Sequence, residues 1–137
     1  MLRTESKRRA RALQLLYALE TVGDGDQNAA SSGLARLTGP EPELHEEAVA
    51  LVEGVMLQRD AIDAVAARAT EHWRFDRIAA VERNILRLGI HELMVGVVPP
   101  KVVLDESIWL AHRFAGPKAP SFINGVLDRV ARDLGRL

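Results

Sequence analysis

The chain contains no cysteine, and only 4% of its residues are aromatic. The absence of cysteine excludes a disulfide scaffold, a cysteine-ligated zinc or iron–sulfur site, and a thiol nucleophile. No apolar run approaches the roughly 18–20 residues that a membrane span needs, and the amino terminus has no apolar stretch resembling a signal peptide. We therefore expect an intracellular, cytoplasmic protein that has neither metal nor redox chemistry.

The usual arrangements of catalytic residues are missing as well. No Gly-rich phosphate loop, dinucleotide fingerprint or nucleophile elbow occurs in the sequence. The histidines are too scattered to form a close pair of metal ligands; they are His45, His72, His91 and His112. We therefore predict no catalytic residue, no metal and no cofactor, and we do not expect an enzyme.

What the sequence does contain is a helical pattern of apolar residues. Its 137 residues are 47% apolar, which is enough for one core, so we predict a single domain over residues 1–137. Apolar residues recur at helical spacing, and no strand-like alternation competes with them. We predict an all-α protein, a compact bundle of six or seven helices. The expected ranges are 6–22, a short helix near 29–37, 43–69 with a break near 58–60, 76–97, 102–114 and 121–134.

The run 76–97 is the most apolar of these helices. At 100° per residue its apolar side chains cover an arc of roughly 220°. The remaining polar stripe holds Arg83, Arg87 and His91, whereas Glu82 and Glu92 point into the apolar arc. A carboxylate there is costly unless it is paired. Each is therefore either held in the structure, by an ion pair or a bond to a helix N-terminus, or turned toward a partner where the arc reaches the surface.

Charge is nearly balanced overall but unevenly distributed. The formal net charge of −1 excludes the overall basicity of a histone-like protein. Residues 1–11 nevertheless carry a net charge of +4, residues 20–63 carry −8, and residues 64–137 carry +3. The basic end falls in the first turns of a predicted helix, where the helix dipole disfavours cations. A bound polyanion such as RNA would convert that penalty into affinity; the alternative is a solvated cluster. The cations concerned are Lys7, Arg8, Arg9 and Arg11.

A second candidate is the segment from Gly116 to Gly125, which combines a proline-stiffened loop, a lysine, an aromatic ring and a helix start. In such an arrangement Lys118 would hold a phosphate and Phe122 would stack on a base of single-stranded RNA. The alternative for Phe122 is a place in the core, as it is for Tyr17, Trp73 and Trp109. Trp109 projects away from the apolar face of its helix, which indicates an interface.

Four stretches of the chain carry recognisable motifs. The first is Arg8-Arg9-Ala10-Arg11 followed by Leu13-Gln14-Leu15-Leu16-Tyr17. The second is Val81-Glu82-Arg83-Asn84-Ile85-Leu86-Arg87-Leu88 with Glu92-Leu93, and the third is Pro100-Lys101-Val102-Val103 with Asp105-Glu106, Ala111 and Phe114. The fourth and most specific is Phe122-Ile123-Asn124-Gly125-Val126-Leu127-Asp128. Together they resemble, in order and over nearly the whole chain, the NusB family of bacterial transcription antitermination factors.

The resemblance implies an all-helical fold of two small subdomains without catalytic activity. It also implies binding of the single-stranded boxA element of ribosomal RNA transcripts together with NusE, a ribosomal small-subunit protein, in the RNA polymerase antitermination complex that resists termination. The implied RNA contacts are Lys7, Arg8, Arg9, Arg11, Lys118 and Phe122, with Lys101 as a weaker candidate. The implied NusE contacts are Tyr17, Asp76 and Glu82. Gly125 is implied to permit close approach of helices.

Two departures from the family pattern leave alternatives open. Ser121 stands where a basic residue often precedes the phenylalanine, so the local charge is redistributed, for example to Lys118. Trp109 replaces a residue that is commonly polar, which would fit a homodimer surface. One alternative is the RNA-binding domain of an rRNA cytosine methyltransferase, which we disfavour because the chain ends at Leu137 without an enzyme domain. The other is a structural helical homodimer whose arginines are solvated.

Overall fold

The computed structural model describes residues 4–22, 41–70 and 73–137. In these ranges the chain forms six α-helices, one 3-10 turn and no strand, which confirms the predicted all-α class. None of the helices described there is long and apolar enough to cross a membrane. The short helix expected near 29–37 and His72 lie outside the described residues. The elements are α1 (Thr4–Val22), α2 (Pro42–Leu57), α3 (Arg59–Ala69), the 3-10 turn (Phe75–Arg77), α4 (Ala80–Val95), α5 (Pro100–Phe114) and α6 (Ala119–Asp133).

Residues 1–56 form the first of two compact units. Here α1 buries leucines such as Leu13 and Leu16. In α2 the buried side chains recur at intervals of three or four residues, which is the spacing of one helix face. The predicted break near 58–60 is confirmed, because Gln58 separates α2 from α3. The buried residues of α2 are Leu44, Ala48, Val52 and Val55.

Residues 57–137 form the second unit, in which α4, α5 and α6 pack on one another and α3 packs against α4 and α6. Gly89 of α4 lies at a tight contact with α5 and α6. A Cβ atom there would come within 2.8 Å of the Leu127 side chain and 3.1 Å of the Ser107 hydroxyl. Gly125 has no such role, because a Cβ atom there would meet nothing within 4 Å. The expectation that Gly125 permits close helix approach is therefore wrong.

Arg87 is buried, although the helical pattern placed it on a polar stripe. Its guanidinium donates two hydrogen bonds to the Asp63 carboxylate of α3, at 2.9 and 3.0 Å, and a third to Asn84 Oδ1 at 3.1 Å. It also lies 5.6 Å from the centre of the Phe75 ring. The prediction failed because α3 covers this part of α4, and a charge with a bidentate partner can be buried. Arg87 thereby holds the 3-10 turn and α3 to α4.

The helix starts in this unit follow its prolines. The helix α5 begins at Pro100, two residues before the start predicted at residue 102. The last helix begins at Ala119, with Lys118 as its N-cap, so the predicted start at residue 121 is two residues too late. The fixed φ of Pro120 suits the first helical turn, where a missing N–H leaves no hydrogen bond unmade. The earlier start places Lys118, Ser121 and Phe122 in or beside the first turns of α6.

Candidate nucleic-acid interface

A groove of about 650 Å³ opens on the second unit, between the segment 73–82 and the start of α6. We call it the Trp73 groove. The first segment contains the 3-10 turn and the beginning of α4, and the second contains residues 118–122. These two stretches lie about forty residues apart in the chain, so their meeting depends on the packing of α4 against α6. The groove is lined by Trp73, Arg74, Arg77, Ile78, Ala79, Glu82, Lys118, Ala119 and Phe122.

Two aromatic rings form one wall of the Trp73 groove. The ring centroids of Trp73 and Phe122 are 6.2 Å apart and their planes are inclined at 75°, an edge-to-face arrangement. Phe122 is half-buried, whereas Trp73 is 66% exposed, so its assignment to the core is wrong. The exposed parts of these two rings offer flat apolar faces, and nucleic-acid bases stack on such surfaces.

The mouth of the Trp73 groove is basic. Arg74, Arg77 and Lys118 are exposed. Arg74 forms an ion pair with Asp76, 2.9 Å between Nη2 and Oδ2, but both side chains are about two-thirds exposed at 67% and 66%. Such a pair contributes little and can be exchanged for another anion. The groove therefore combines aromatic faces with accessible cations, the two elements that bind single-stranded nucleic acid.

Acidic groups and backbone hydrogen bonds shape the other side of this site. Glu82 is a half-buried carboxylate in the groove lining. Next to it in the chain, Arg83 donates hydrogen bonds to the backbone oxygens of Ile78 at 2.8 Å and Asp76 at 3.5 Å. These bonds tie the first turn of α4 to the 3-10 turn. Glu82 therefore lies in a helical turn that the hydrogen bonds of Arg83 connect to the 3-10 turn.

The basic cluster of α1, formed by Lys7, Arg8, Arg9 and Arg11, is not one continuous surface. Lys7 is exposed, and Arg8 is 30% exposed and lies 3.8 Å from a carboxylate oxygen of Glu47. Arg9 and Arg11 are buried, at 4% and 5% exposure. Arg11 donates a hydrogen bond of 3.4 Å to the backbone oxygen of Glu41. In this conformation only Lys7 and part of Arg8 are open to an incoming phosphate.

The structure brings together some of the residues predicted from the sequence and leaves others apart. Glu82, Lys118 and Phe122 line the Trp73 groove, and Asp76 is exposed in the adjoining 3-10 turn. Tyr17 belongs to the first unit, where it is 48% exposed. On α5, Lys101 is exposed and Trp109 is half-buried, and neither lines the groove. The homodimer surface at Trp109 stays a prediction.

Sequence reasoning missed Trp73, Arg74 and Arg77. A signal was present, because Trp73-Arg74-Phe75-Asp76-Arg77 interleaves aromatic and basic residues as nucleic-acid-binding segments do. Its neighbour Phe75 is buried, so composition alone does not distinguish the exposed ring from the core ring. In the described part of the chain, no group of three or more histidine or acidic side chains is placed to hold a metal ion.

The chain is similar to known proteins in sequence and in fold. The profile of the NusB family matches residues 6–132. The transcription antitermination protein NusB of Sorangium cellulosum is 41% identical over 130 residues, covering 94% of this chain and 92% of the relative. A structure of T. maritima NusB is 30% identical with a TM-score of 0.79, covering 93% of this chain and 91% of the other. A crystal structure of the antitermination factors NusB and NusE in complex with dsRNA is 27% identical with a TM-score of 0.82, covering 97% and 99%.

Proposed function

The chain belongs to the NusB family, and from that premise we propose that it is a transcription antitermination factor that binds RNA together with NusE. The RNA we propose is the single-stranded boxA element of ribosomal RNA transcripts, and the larger assembly is the antitermination complex of RNA polymerase. We propose further that residues 1–137 act as one non-catalytic RNA-binding domain in the cytoplasm, where bacterial transcription takes place.

The observation that carries this proposal is the Trp73 groove. Its aromatic wall, Trp73 and Phe122, suits the faces of unpaired bases, and Arg74, Arg77 and Lys118 suit the phosphates between them. Bases stacked inside an RNA duplex do not present their faces, so the groove fits single-stranded RNA better than a double helix. Lys7 and Arg8 of the first unit add accessible positive charge, and Lys101 adds another exposed cation.

Glu82, Asp76 and Tyr17 are the proposed contacts with NusE. A half-buried carboxylate at the edge of a basic groove repels RNA phosphate, so its function is better explained by a basic side chain of a protein partner. Glu82 has this environment, and Asp76 is exposed beside it. Tyr17 offers an exposed ring in the first unit, and exposed tyrosines are enriched at protein interfaces.

The test is a binding titration with a fluorescent boxA-type RNA of about a dozen nucleotides, with and without NusE and across a salt series. We expect the wild type to bind the single strand more tightly than a duplex of the same sequence. NusE should tighten RNA binding, and RNA should tighten NusE binding by the same factor, because coupling between two ligands is reciprocal. Weak binding that ignores sequence and is unaffected by NusE would refute the proposal.

Glu82→Gln separates the two proposed ligands. Removing the negative charge should leave RNA affinity unchanged or raise it several-fold, because one repulsive contact with phosphate is lost. The same change should weaken NusE binding, since a charge-assisted contact disappears. The matched control is Glu53→Gln, an exposed carboxylate of α2 that lies outside the groove. A parallel loss of both affinities would show that Glu82 acts only by maintaining the fold.

A further inference from the structure

A second, smaller depression borders the same two aromatic rings. It measures about 250 Å³ and lies between the end of α3 and the exposed side of α6. We call it the Gly125 depression, because Gly125 lines it together with Thr70, Ser121 and Arg129. It shares with the Trp73 groove only Trp73 and Phe122. The ring pair is therefore the wall between two concave surfaces.

The geometry of the ring pair suits a ligand on each side. Rings inclined at 75° present their faces in different directions, and Trp73 is largely open to solvent. The Gly125 depression is smaller than the roughly 300–1,000 Å³ of typical small-molecule pockets. It suits one planar base better than a whole ligand. Two stacking surfaces separated by one wall match two neighbouring nucleotides of a strand.

Gly125 supplies an independent observation. Glycine inside a helix lowers helix stability relative to alanine, and no atom lies within 4 Å of where its Cβ would stand. Neighbouring structure therefore does not require a glycine here, in contrast to Gly89, which Leu127 and Ser107 crowd. The missing side chain instead keeps the depression open.

Polar groups at the Gly125 depression complete a nucleotide site. Arg129 lies 3.8 Å from a carboxylate oxygen of Asp133, and both side chains are partly exposed at 43% and 63%. An exposed ion pair of this kind contributes little stability, so a phosphate can compete with Asp133 for the guanidinium. Ser121 is exposed in the lining of the depression, whereas the hydroxyl of Thr70 donates a hydrogen bond of 2.8 Å to the backbone oxygen of Ala66.

We propose that the Gly125 depression is a second base-binding subsite, which takes the nucleotide adjacent to the one in the Trp73 groove. Arg129 contacts the phosphate of that nucleotide. This subsite rests on the proposed function, since it deepens RNA binding at the same ring pair.

The test uses the full chain and a set of boxA-type single-stranded RNAs in which one abasic nucleotide is moved along the strand. With the wild type, removal of the base should lower affinity by about tenfold at each of two adjacent positions, one for each side of the wall. Gly125→Gln fills the depression with a flexible neutral side chain and favours the helix. It should lower affinity for the intact RNA by about tenfold and abolish the abasic effect at one of the two positions.

The control is Asn124→Gln, which adds the same side chain at an exposed position that lines neither concavity. It should bind every RNA as the wild type does. A second readout is Arg129→Met, which should flatten the salt dependence by about 0.7, the loss of one phosphate contact. Arg132→Met, on an exposed side chain of the same helix, should not.

The outcomes distinguish the two levels of the proposal. If the wild type binds RNA and Gly125→Gln keeps full affinity and both abasic effects, the second subsite is overturned. The proposal that the protein binds RNA is then unaffected. An equal loss for Asn124→Gln would also overturn it, because the effect would then not come from filling the depression. Failure of the wild type to bind any of the RNAs would overturn the proposed function itself.

Discussion

The basic cluster of α1 and the basic residues of the Trp73 groove carry the same charge in opposite environments. In the cluster, Arg9 and Arg11 are buried, and Arg11 is bonded to a backbone oxygen. At the groove, Arg74, Arg77 and Lys118 all reach solvent. The densest run of positive charge in the sequence therefore offers less accessible charge than three cations scattered over 45 residues of the second unit.

This difference teaches that a charge run in a sequence combines two kinds of cation. A buried arginine forms its hydrogen bonds within the protein, so its removal lowers the stability of the fold. An exposed arginine can bind a ligand, so its removal weakens ligand binding and flattens the salt dependence of that binding. Exchanging single cations in both regions separates the two kinds experimentally.

The largest expected effect comes from Arg87, the buried arginine of the second unit. Arg87→Met leaves the Asp63 carboxylate without its bidentate partner, so we expect a loss of about 3 kcal/mol in the free energy of unfolding. Urea denaturation measures this loss. The double variant Arg87→Met, Asp63→Leu should recover part of it, because no charge is then left uncompensated. If the double variant is less stable than the single one, the ion pair is not the cause.

Arg11 provides the corresponding test in α1. Arg11→Ala removes a buried alkyl chain and the hydrogen bond to Glu41, so we expect a loss of about 2 kcal/mol in stability. Lys7→Ala, four residues earlier and exposed, should leave the unfolding curve unchanged and flatten the salt dependence of RNA binding by about 0.7. Reversed results, with Arg11 affecting only binding, would show that α1 exposes its arginines in solution.

Removing cations of the Trp73 groove should weaken RNA binding without lowering the stability of the protein. For Arg77→Met combined with Lys118→Met we expect roughly tenfold weaker binding of the boxA-type RNA and a salt slope flatter by about one to two. Urea denaturation should detect no change in stability, because both side chains are exposed. Arg68→Met is the control, an exposed arginine of α3 outside the groove. An equal effect of Arg68→Met would mean that net charge, rather than the groove, determines affinity.

The smallest expected effect concerns the pH dependence of stability, which burial of a titrating group, His91, should change. Burial lowers the pKa of His91 below its ordinary 6.5, and the negative charge of Glu92 offsets only part of this shift. The folded protein then binds a proton less readily than the unfolded chain, so stability should fall as the pH drops from 6.5 toward the lowered pKa. His91→Gln should lose less stability than the wild type over that window, as measured by urea titrations at several pH values. An identical pH dependence would exclude His91 as the group responsible.

The sequence predicted more of the fold than of the site. Helical spacing located every described helix to within a few residues, and the break between α2 and α3 was predicted at the right place. The main errors were the start of α6, which lies at Ala119 rather than at residue 121, and Arg87, where α3 covers a stripe that an isolated helix would expose. Of the groove residues, Lys118 and Phe122 are predicted from the loop before α6 and Glu82 through the resemblance, whereas Trp73 has only a place in the core as its interpretation.

What the sequence by itself determined is the all-helical class and the membership of a family. Both depend on local order along the chain, namely periodicity, prolines at helix starts and runs of specific residues. Only the tertiary structure decided that Arg9, Arg11 and Arg87 are buried and that Trp73 meets Phe122. The physical reason is that exposure depends on which distant segments pack together. A helix pattern shows which face a residue occupies but not what covers that face.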